Sequence, residues 1–184
     1  MAAENEIIIA DYDPRWPMLY AQERELILSL MAQDLAAIEH IGSTAVPGLG
    51  AKPIIDIMAA VRSLRDAERC IEPLARIGYE YVPEFEDVMP ERRYFRKSAG
   101  RTRTHHLHMV ELSSDFWRRH LLFRNFLRAH PSTAHQYYCL KKELARKFRT
   151  KREAYTDAKT SFIEDIVKRA QMESGTDNSL PVIC

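Results

Sequence analysis

The sequence predicts an α/β (α+β) fold, with a sheet flanked by helices in residues 1–112 and a C-terminal helical bundle in residues 113–171. Short β-branched and aromatic runs, separated by turn residues, are concentrated in the first part. Apolar residues at helical spacing dominate the second part. The chain has 184 residues, of which 46% are hydrophobic, and a chain of this length buries roughly 70% of the surface that it exposes when unfolded. We therefore expect a single domain over residues 1–171.

Strands and helices alternate in the predicted sheet part. We expect Asp13 to cap the first helix, with Pro14 as its first helical residue, and Ser63 to cap the second helix, which ends at Gly78. Residues 53–61 form a nearly continuous apolar run around one carboxylate, Asp56, as in a buried central strand. The predicted strands are residues 7–9, 37–41, 53–61, 79–82, 92–97 and 105–112, and the predicted helices are residues 15–36 and 63–77.

The helical part is predicted to contain three helices, at residues 115–129, 132–147 and 152–171. Residues 172–184 have no apolar period and are expected to be a disordered tail. Residues 113–171 hold 14 Lys and Arg against 6 Asp and Glu, and residues 92–106 hold six basic residues and no acidic one. Because the whole chain has a net charge of only +1, these segments favour a local site for an anionic ligand. Solvated helix and strand faces are the alternative interpretation.

The cysteines and the apolar segments of the sequence indicate the cellular compartment. The three cysteines, Cys70, Cys139 and Cys184, are odd in number and widely spaced, which is typical neither of a disulfide framework nor of a zinc knuckle. The first thirty residues carry several acidic residues and lack the pattern of a secretory signal. No window approaches the ~18 consecutive apolar residues of a membrane helix. The sequence therefore predicts a cytoplasmic protein with no membrane partner.

The clearest chemical pattern is a Gly-Ser turn next to an apolar strand that carries a carboxylate. Gly42 and Ser43 follow a predicted strand, and a glycine there lets backbone N–H groups and the serine hydroxyl approach a phosphate. A buried carboxylate needs a cation or a hydrogen-bonding partner, and Asp56 on the adjacent strand stands where a metal ion bound to those phosphates would be held. Lys52 follows the glycine-rich loop, so its ammonium can reach the same phosphate.

Residues 39–56, which read EHIGSTAVPGLGAKPIID, resemble the hallmark segment of the GrpB-like proteins. These proteins are a branch of the polymerase-beta-type nucleotidyltransferase superfamily. The resemblance extends over residues 7–170 and is therefore a resemblance of the whole domain. Further matching segments are Gly78-Tyr79, Arg93-Tyr94-Phe95, residues 106–110, residues 123–127, Tyr137 with Lys141, and Tyr155 with Lys159.

This resemblance implies a nucleotidyltransferase-type mixed sheet, an NTP substrate and a divalent metal, with Gly42, Ser43 and Thr44 at the phosphates. Active members of the superfamily carry a second carboxylate two residues after the first, whereas this chain has Met58 there. His106 and His108 share one face of their strand, and His108 occupies the region of the superfamily's third carboxylate. We therefore expect Asp56 and His108 to be catalytic and Asp56, His106 and His108 to bind Mg²⁺, Mn²⁺ or, because of the imidazoles, Zn²⁺. A solvated strand face is the alternative for the two histidines.

Several other side chains are candidates for binding the nucleotide. Arg93 and Arg96 lie in a basic strand with aromatic neighbours, and a guanidinium binds phosphate or carboxylate with two parallel hydrogen bonds. Lys141 shares a helix face with Tyr137, so it either binds phosphate or packs its stem on the ring. His40 is either a ligand or base beside the phosphate loop or a half-buried strand residue.

Three functions remain open on the sequence. The first is transfer of a nucleotidyl group from an NTP to a small acceptor. The second, favoured by Met58, is a catalytically degenerate nucleotide- or phosphometabolite-binding module, since GrpB-like proteins also resemble an accessory domain of dephospho-coenzyme A kinases. The third is an RNA-binding domain, for which Phe148 among basic residues is the local aromatic candidate. The sequence does not identify the acceptor, the base or the oligomeric state.

Overall fold

The computed structural model describes residues 6–176, in which five strands form one sheet and seven α-helices pack around it. The strands are β1 (Ala37–Ile41), β2 (Ile55–Val61), β3 (Tyr79–Tyr81), β4 (Arg92–Ala99) and β5 (Thr102–Glu111). The helices are α1 (Trp16–Met31), α2 (Leu64–Ala67), α3 (Ile71–Arg76), α4 (Asp115–Ala129), α5 (Pro131–Phe148), α6 (Arg152–Asp157) and α7 (Thr160–Thr176). Short 3₁₀ turns lie at Ala32–Asp34, Ser43–Ala45, Glu68–Cys70 and Pro83–Phe85.

The strand order is β1-β2-β5-β4-β3, and the sheet is mixed because β2 and β5 run parallel while the other neighbours are antiparallel. The α/β fold class with its mixed sheet and flanking helices is thereby confirmed. In the parallel pair, Asp56 lies opposite His106 and Met58 opposite His108. Since alternate residues of a strand point to one face, these four side chains share one face of the sheet.

The two faces of the sheet are covered by different helices. On the back face, Ile57, Leu107 and Phe95 pack in the main core with Ile27 of α1 and Leu74 of α3. On the front face, a smaller cluster of Ile41, Met58 and Val110 lies beneath Phe116, Trp117 and Leu121 of α4. The front face also carries the polar side chains of Asp56 and His106, so the candidate chemistry lies between the sheet and the helical part.

Three cations of the helical part fasten it to the first strand and to the loop that follows. Arg124 of α4, which is 7% exposed, donates to Glu39 Oε2 at 2.6 Å and to the His40 carbonyl at 2.8 Å. Arg128 donates to the Ala45 carbonyl at 2.9 Å. Lys141 of α5 donates to the Gly50 carbonyl at 2.6 Å.

The N-terminal elements differ from the sequence prediction. Residues 7–9 form no strand, because Ile7 packs against Leu144 and Tyr155 of the helical part and donates its N–H to the Arg149 carbonyl. Only Ala10 makes a β-bridge there, to Ala51. The first helix starts at Trp16 rather than at Pro14. Asp13 accepts the backbone N–H of Arg15 at 2.9 Å and closes the turn before the helix instead of capping it.

Three helix ends also differ. The predicted helix 15–36 stops at Met31, whose φ of −146° leaves the helical region, and a 3₁₀ turn then leads into β1. The predicted helix 152–171 is divided into α6 and α7 at residues 158–159, where no Gly or Pro marks the break. Finally, α7 continues to Thr176, so residues 172–176 are helical and the expected disordered tail does not begin at 172. The rest of that predicted tail lies outside the described residues.

The other predicted helices agree closely with the structure. Ser63 caps α2, accepting the N–H of Arg65, and Ser114 caps α4, accepting the N–H of Trp117 at 3.2 Å. The predicted helix 63–77 is interrupted by one 3₁₀ turn between α2 and α3. Over residues 6–176, no helix combines the length and the apolar character that crossing a bilayer requires.

Candidate functional site

A cavity of about 230 Å³ lies between the front face of the sheet, the Gly-Ser turn, helices α5 and α6, and Lys159 just after α6. One wall carries Asp56 and His106, and the opposite wall carries lysines and tyrosines of the helical part. The turn contributes Ser43 and Thr44 at one end. The lining residues are Ser43, Thr44, Ala51, Lys52, Ile54, Asp56, His106, Tyr137, Lys141, Tyr155, Thr156 and Lys159.

The turn after β1 is shaped around Asp56. Gly42 has φ +70°, and a Cβ atom at this position would lie 2.5 Å from Asp56 Oδ2. Only glycine therefore satisfies both the backbone conformation and the close approach of the carboxylate. The next residues form a 3₁₀ turn in which Thr44 accepts from His40 Nε2 at 3.0 Å and donates to the Ile54 carbonyl. The Thr44 hydroxyl thus ties the turn to its neighbours.

Asp56 and His106 form a hydrogen-bonded pair across β2 and β5, with 2.9 Å between Oδ1 and Nδ1. Burial by itself raises the pKa of Asp56, but the hydrogen bond and charge of His106, with His108 and His40 nearby, outweigh it and lower the pKa. An ionised carboxylate only accepts, so His106 Nδ1 carries a hydrogen, and in the neutral form of the ring Nε2 presents a lone pair. That Nε2 atom is buried and has no hydrogen-bond partner within residues 6–176.

His108 lies one step further along the same strand face. Asp56, His106 and His108 each offer one potential ligand atom, and these three atoms lie within 4.8 Å of one another. However, Arg92 Nη1 lies 3.2 Å from His108 Nδ1. Because a guanidinium only donates, this contact engages the His108 lone pair and leaves the hydrogen on Nε2. Burial lowers the pKa of His108 well below its ordinary value, which keeps the ring neutral. His108 does not line the cavity.

Three lysine ammonium groups converge on the cavity. Lys52 and Lys159 each lie 4.4 Å from the centroid of the Tyr155 ring, and Lys141 lies 4.9 Å from that of Tyr137. Burial, followed by the charge of Lys159, lowers the pKa of Lys52 to about 8 and that of Lys141 to about 7. Burial also lowers the pKa of Lys159. Three ammonium groups so close together, in partly or fully buried positions, favour a bound anion, which would stabilise their charged forms.

The structure does not bring Arg93 or Arg96 to this cavity. Arg93 lies on the back face, opposite Met109 in the register, and pairs with Glu86 at 3.1 Å. Arg96 shares the front face with His106, but its guanidinium is held by Glu80 through two hydrogen bonds of 2.6 and 2.7 Å. Both guanidinium groups therefore already have carboxylate partners.

Three further candidates are built into the protein interior. His40 is buried and stacks on the Tyr20 ring with 4.6 Å between centroids, and burial lowers its pKa to about 4. Met58 is fully buried beneath α4. Phe148 packs against the cluster that contains Ile7, so its ring faces the core of the helical part.

Sequence reasoning missed some of the cavity wall. Tyr137, Tyr155 and Lys159 were singled out only as parts of helix-face pairs, and they now line the cavity together. Arg92, which engages His108, stood in the basic strand but was not distinguished from its neighbours. The available signal was the recurrence of a Tyr and a Lys four residues apart on two helices, which places an aromatic ring and an ammonium on one face.

The chain matches the family model described as GrpB protein over residues 6–169. It is 41% identical to the UPF0157 protein PA4798 of Pseudomonas aeruginosa, covering 92% of this chain and 69% of that protein. It is 38% identical to the UPF0157 protein YqkA of Bacillus subtilis, covering 95% of this chain but only 50% of that relative. A dephospho-CoA kinase of Mycolicibacterium paratuberculosis is 28% identical, covering 86% of this chain and 44% of the kinase.

Two solved structures are similar to this chain. The conserved protein GrpB from Enterococcus faecalis superimposes with a TM-score of 0.82 at 36% identity, covering 91% of this chain and 99% of that one. The Cid1 poly(U) polymerase, in a MgGTP-bound crystal structure, matches with a TM-score of 0.50 at 15% identity, covering 75% of this chain and 44% of that one. This second likeness concerns the fold alone. In fold, the chain is thus similar to GrpB of Enterococcus faecalis and more distantly to the Cid1 poly(U) polymerase, and by its family model and its relatives it belongs to the GrpB family.

Proposed function

We propose that this protein is nucleotidyltransferase-like, binding an NTP together with a divalent metal and transferring a nucleotidyl group to a small acceptor. The observation that carries the proposal is the arrangement of the cavity. The Asp56–His106 pair and the side chains of Lys52, Lys141 and Lys159 line the same cavity of about 230 Å³. A metal-bound triphosphate has both charges that this arrangement complements, because its oxygens bind cations and its metal binds carboxylate and imidazole.

The metal would be held by Asp56 and by His106, whose buried Nε2 lone pair has no partner among the described residues. One carboxylate and one imidazole fit Mn²⁺ or Zn²⁺ better than Mg²⁺, which prefers oxygen ligands. When bound, the metal neutralises charge on the phosphates. The His108 lone pair accepts from Arg92, so this ring is left out of the proposed ligand set. With two protein ligands, metal affinity depends on the phosphate oxygens of the nucleotide, so the two bind cooperatively.

The lysines would hold the phosphate chain while the reaction proceeds. The acceptor hydroxyl oxygen forms a bond to the α-phosphorus, the bond from that phosphorus to the bridging oxygen of the β-phosphate breaks, and pyrophosphate leaves with the electron pair. The hydroxyl proton passes to bulk water. Positive charge fixed around the leaving pyrophosphate lowers the barrier, because little else is required of the protein in phosphoryl and nucleotidyl transfer.

A second candidate is a nucleotide- or phosphometabolite-binding module without transfer, with a coenzyme A-related ligand as one form of it. The observation that favours it is Met58, which stands where the superfamily has its second carboxylate and is fully buried among Ile41 and Val110. A thioether is a poor ligand for Mg²⁺. The similarity to a dephospho-CoA kinase, of which this chain covers less than half, is compatible with an accessory role.

Binding is tested with a lysine that lies in the cavity and one that does not. Lys159→Met removes one ammonium but keeps the stem, whereas Lys142→Met removes an ammonium that lies over the Tyr138 ring outside the cavity. We expect the affinity for a non-hydrolysable ATP analogue with Mn²⁺, measured by calorimetry, to fall on the order of tenfold only in Lys159→Met. Equal losses in both variants, or none, would remove the cavity as the nucleotide site.

Transfer is tested separately by release of pyrophosphate from each NTP in the presence of Mn²⁺ and a pool of small hydroxyl acceptors. Asp56→Asn should abolish release while the protein stays folded by circular dichroism. Nucleotide binding without any release would favour the module. Release that persists at the wild-type rate in Asp56→Asn would exclude this carboxylate from the mechanism.

A further inference from the structure

A second cavity of about 220 Å³ adjoins the first, and the two share Lys52 and Ile54 in their walls. Its floor is formed by the extended N-terminal residues 6–8 and the loop before β2. Its sides are formed by the hairpin between β4 and β5 and by the first residue of α6. The lining residues are Glu6, Ile7, Ile8, Lys52, Pro53, Ile54, Arg101, Thr102, Arg103 and Arg152.

Positive side chains outnumber negative ones among the described residues that line this second cavity. Four cationic side chains line it, whereas Glu6 is the acidic side chain among the lining residues. Glu6 Oε1 in turn lies 3.6 Å from a guanidinium nitrogen of Arg149, which offsets its charge. Arg152 and Arg103 also contribute to the lowered pKa of Lys52, after burial and Lys159. The guanidinium groups at the second cavity therefore act on the ammonium that separates it from the first.

We propose that the second cavity binds the phosphate of the acceptor, so that the acceptor is a small phosphomonoester with a free hydroxyl group. This inference rests on the proposed function, since it names the second ligand of the same site. A guanidinium presents two parallel donors that match two phosphate oxygens, and Arg103 and Arg152 come from two elements on different sides of the cavity.

The position of Lys52 explains why the two ligands belong to one reaction. Lys52 lines both cavities, so a phosphomonoester bound in the second cavity would lie beside the first. Placing a hydroxyl beside a bound triphosphate converts a bimolecular attack into an effectively unimolecular one.

The size and lining of the cavity favour a small molecule over a nucleic acid. About 220 Å³ holds one phosphate and a body of a few carbon atoms. Binding of single-stranded nucleic acid relies on aromatic side chains on which bases stack. None of the described residues that line this cavity is aromatic.

The experiment measures binding of ribose 5-phosphate by calorimetry, with and without a saturating non-hydrolysable ATP analogue and Mn²⁺. The variants are Arg103→Ala and Arg152→Ala. The control is Arg76→Ala, which removes an exposed guanidinium paired with Glu72 on the far helix α3. We expect each of the two cavity variants to weaken ribose 5-phosphate binding by at least fivefold without weakening nucleotide binding, and we expect no effect in the control.

Three kinds of result would contradict the proposal. Ribose 5-phosphate that competes with the nucleotide, or that binds equally to all three variants, overturns the second site. Tighter binding of a 5′-phosphorylated oligonucleotide, with a steep salt dependence, would overturn the small-molecule assignment in favour of nucleic acid. Failure of the nucleotide to bind, while Arg103 and Arg152 still govern binding of ribose 5-phosphate, would reject the proposed function and its acceptor role but retain the phosphate site.

Discussion

Replacing Gly42 by alanine perturbs the backbone of the turn and the carboxylate beside it at once. The native φ of +70° with ψ of −171° is a region that only glycine visits freely, so any side chain costs about 1–3 kcal/mol. The added Cβ would also lie 2.5 Å from Asp56 Oδ2, so this carboxylate must shift, which disturbs its hydrogen bond to His106. For a chain of this length, each kcal/mol lowers the melting temperature by roughly 2–4 °C.

The assay is thermal unfolding with and without Mn²⁺ and a non-hydrolysable ATP analogue. Gly48→Ala is the matched control, because Gly48 has φ +75° in the same loop but a Cβ there meets nothing within 4 Å. We expect both variants to melt below the wild-type protein, and we expect Gly42→Ala to do so by about 2–12 °C. Only Gly42→Ala should lose the stabilisation by metal and nucleotide, since only there is Asp56 displaced.

The comparison of the two glycines separates backbone strain from loss of the site. If Gly42→Ala melts no lower than Gly48→Ala and keeps its full response to metal and nucleotide, then Asp56 tolerates the displacement. The close packing of Gly42 against this carboxylate would then have no part in binding, and the reasoning would be refuted.

Three further predictions concern histidines and the buried methionine. His40 has a lowered pKa of about 4, so the buried neutral ring contributes up to about 3 kcal/mol to the free energy of unfolding above pH 6.5. This contribution is lost as the pH falls from 6.5 toward 4. His40→Gln should therefore reduce the dependence of the unfolding free energy on pH, measured by urea titration. His106→Ala should weaken nucleotide-dependent Mn²⁺ binding on the order of 10–100-fold, whereas His105→Ala, on the back face, should not. Met58→Asp should destabilise the fold by about 3–5 kcal/mol through an uncompensated buried charge, while Met58→Leu costs under about 1.5 kcal/mol.

Each of these has a clear contrary result. An unchanged pH slope in His40→Gln would assign acid sensitivity to other buried histidines. Equal metal affinity in His106→Ala and wild type would leave the unpartnered Nε2 atom without a ligand role. A Met58→Asp variant of normal stability and tighter Mn²⁺ binding would show that position 58 faces an ion rather than the core.

The front face of β2 illustrates how far sequence reasoning reaches. Period-two alternation placed Asp56 and Met58 on one face, and the Gly-Ser turn identified the end of the strand at which the cavity opens. The alternation could not show that α4 covers Met58 while leaving Asp56 beside the cavity, because that depends on where a helix some sixty residues later packs. Likewise, the pairing of Arg96 with Glu80 depends on the register of β3 and β4, which the local pattern of either strand does not contain.

The predicted boundaries of the helix at residues 152–171 were wrong for a related reason. Residues 152–171 keep an apolar period through the break after Asp157, so periodicity predicts one helix where tertiary packing produces two. The break adjoins the site, because Lys159 lies in it and lines the cavity together with Tyr155 of α6. Conversely, helix α4 was predicted to the residue, because Ser114 provides a local cap and its signal does not depend on distant contacts.

The three basic side chains that fasten the helical part to the sheet hold one side of the cavity in place before a ligand binds. Arg124, Arg128 and Lys141 each bond to a backbone carbonyl between His40 and Gly50, at 2.8, 2.9 and 2.6 Å. Swinging the helices away from the turn would leave these carbonyls and a largely buried guanidinium without partners, each at a cost of about 1–3 kcal/mol. The first cavity is therefore preorganised on this side. Little binding free energy is spent on ordering the protein when a ligand binds there.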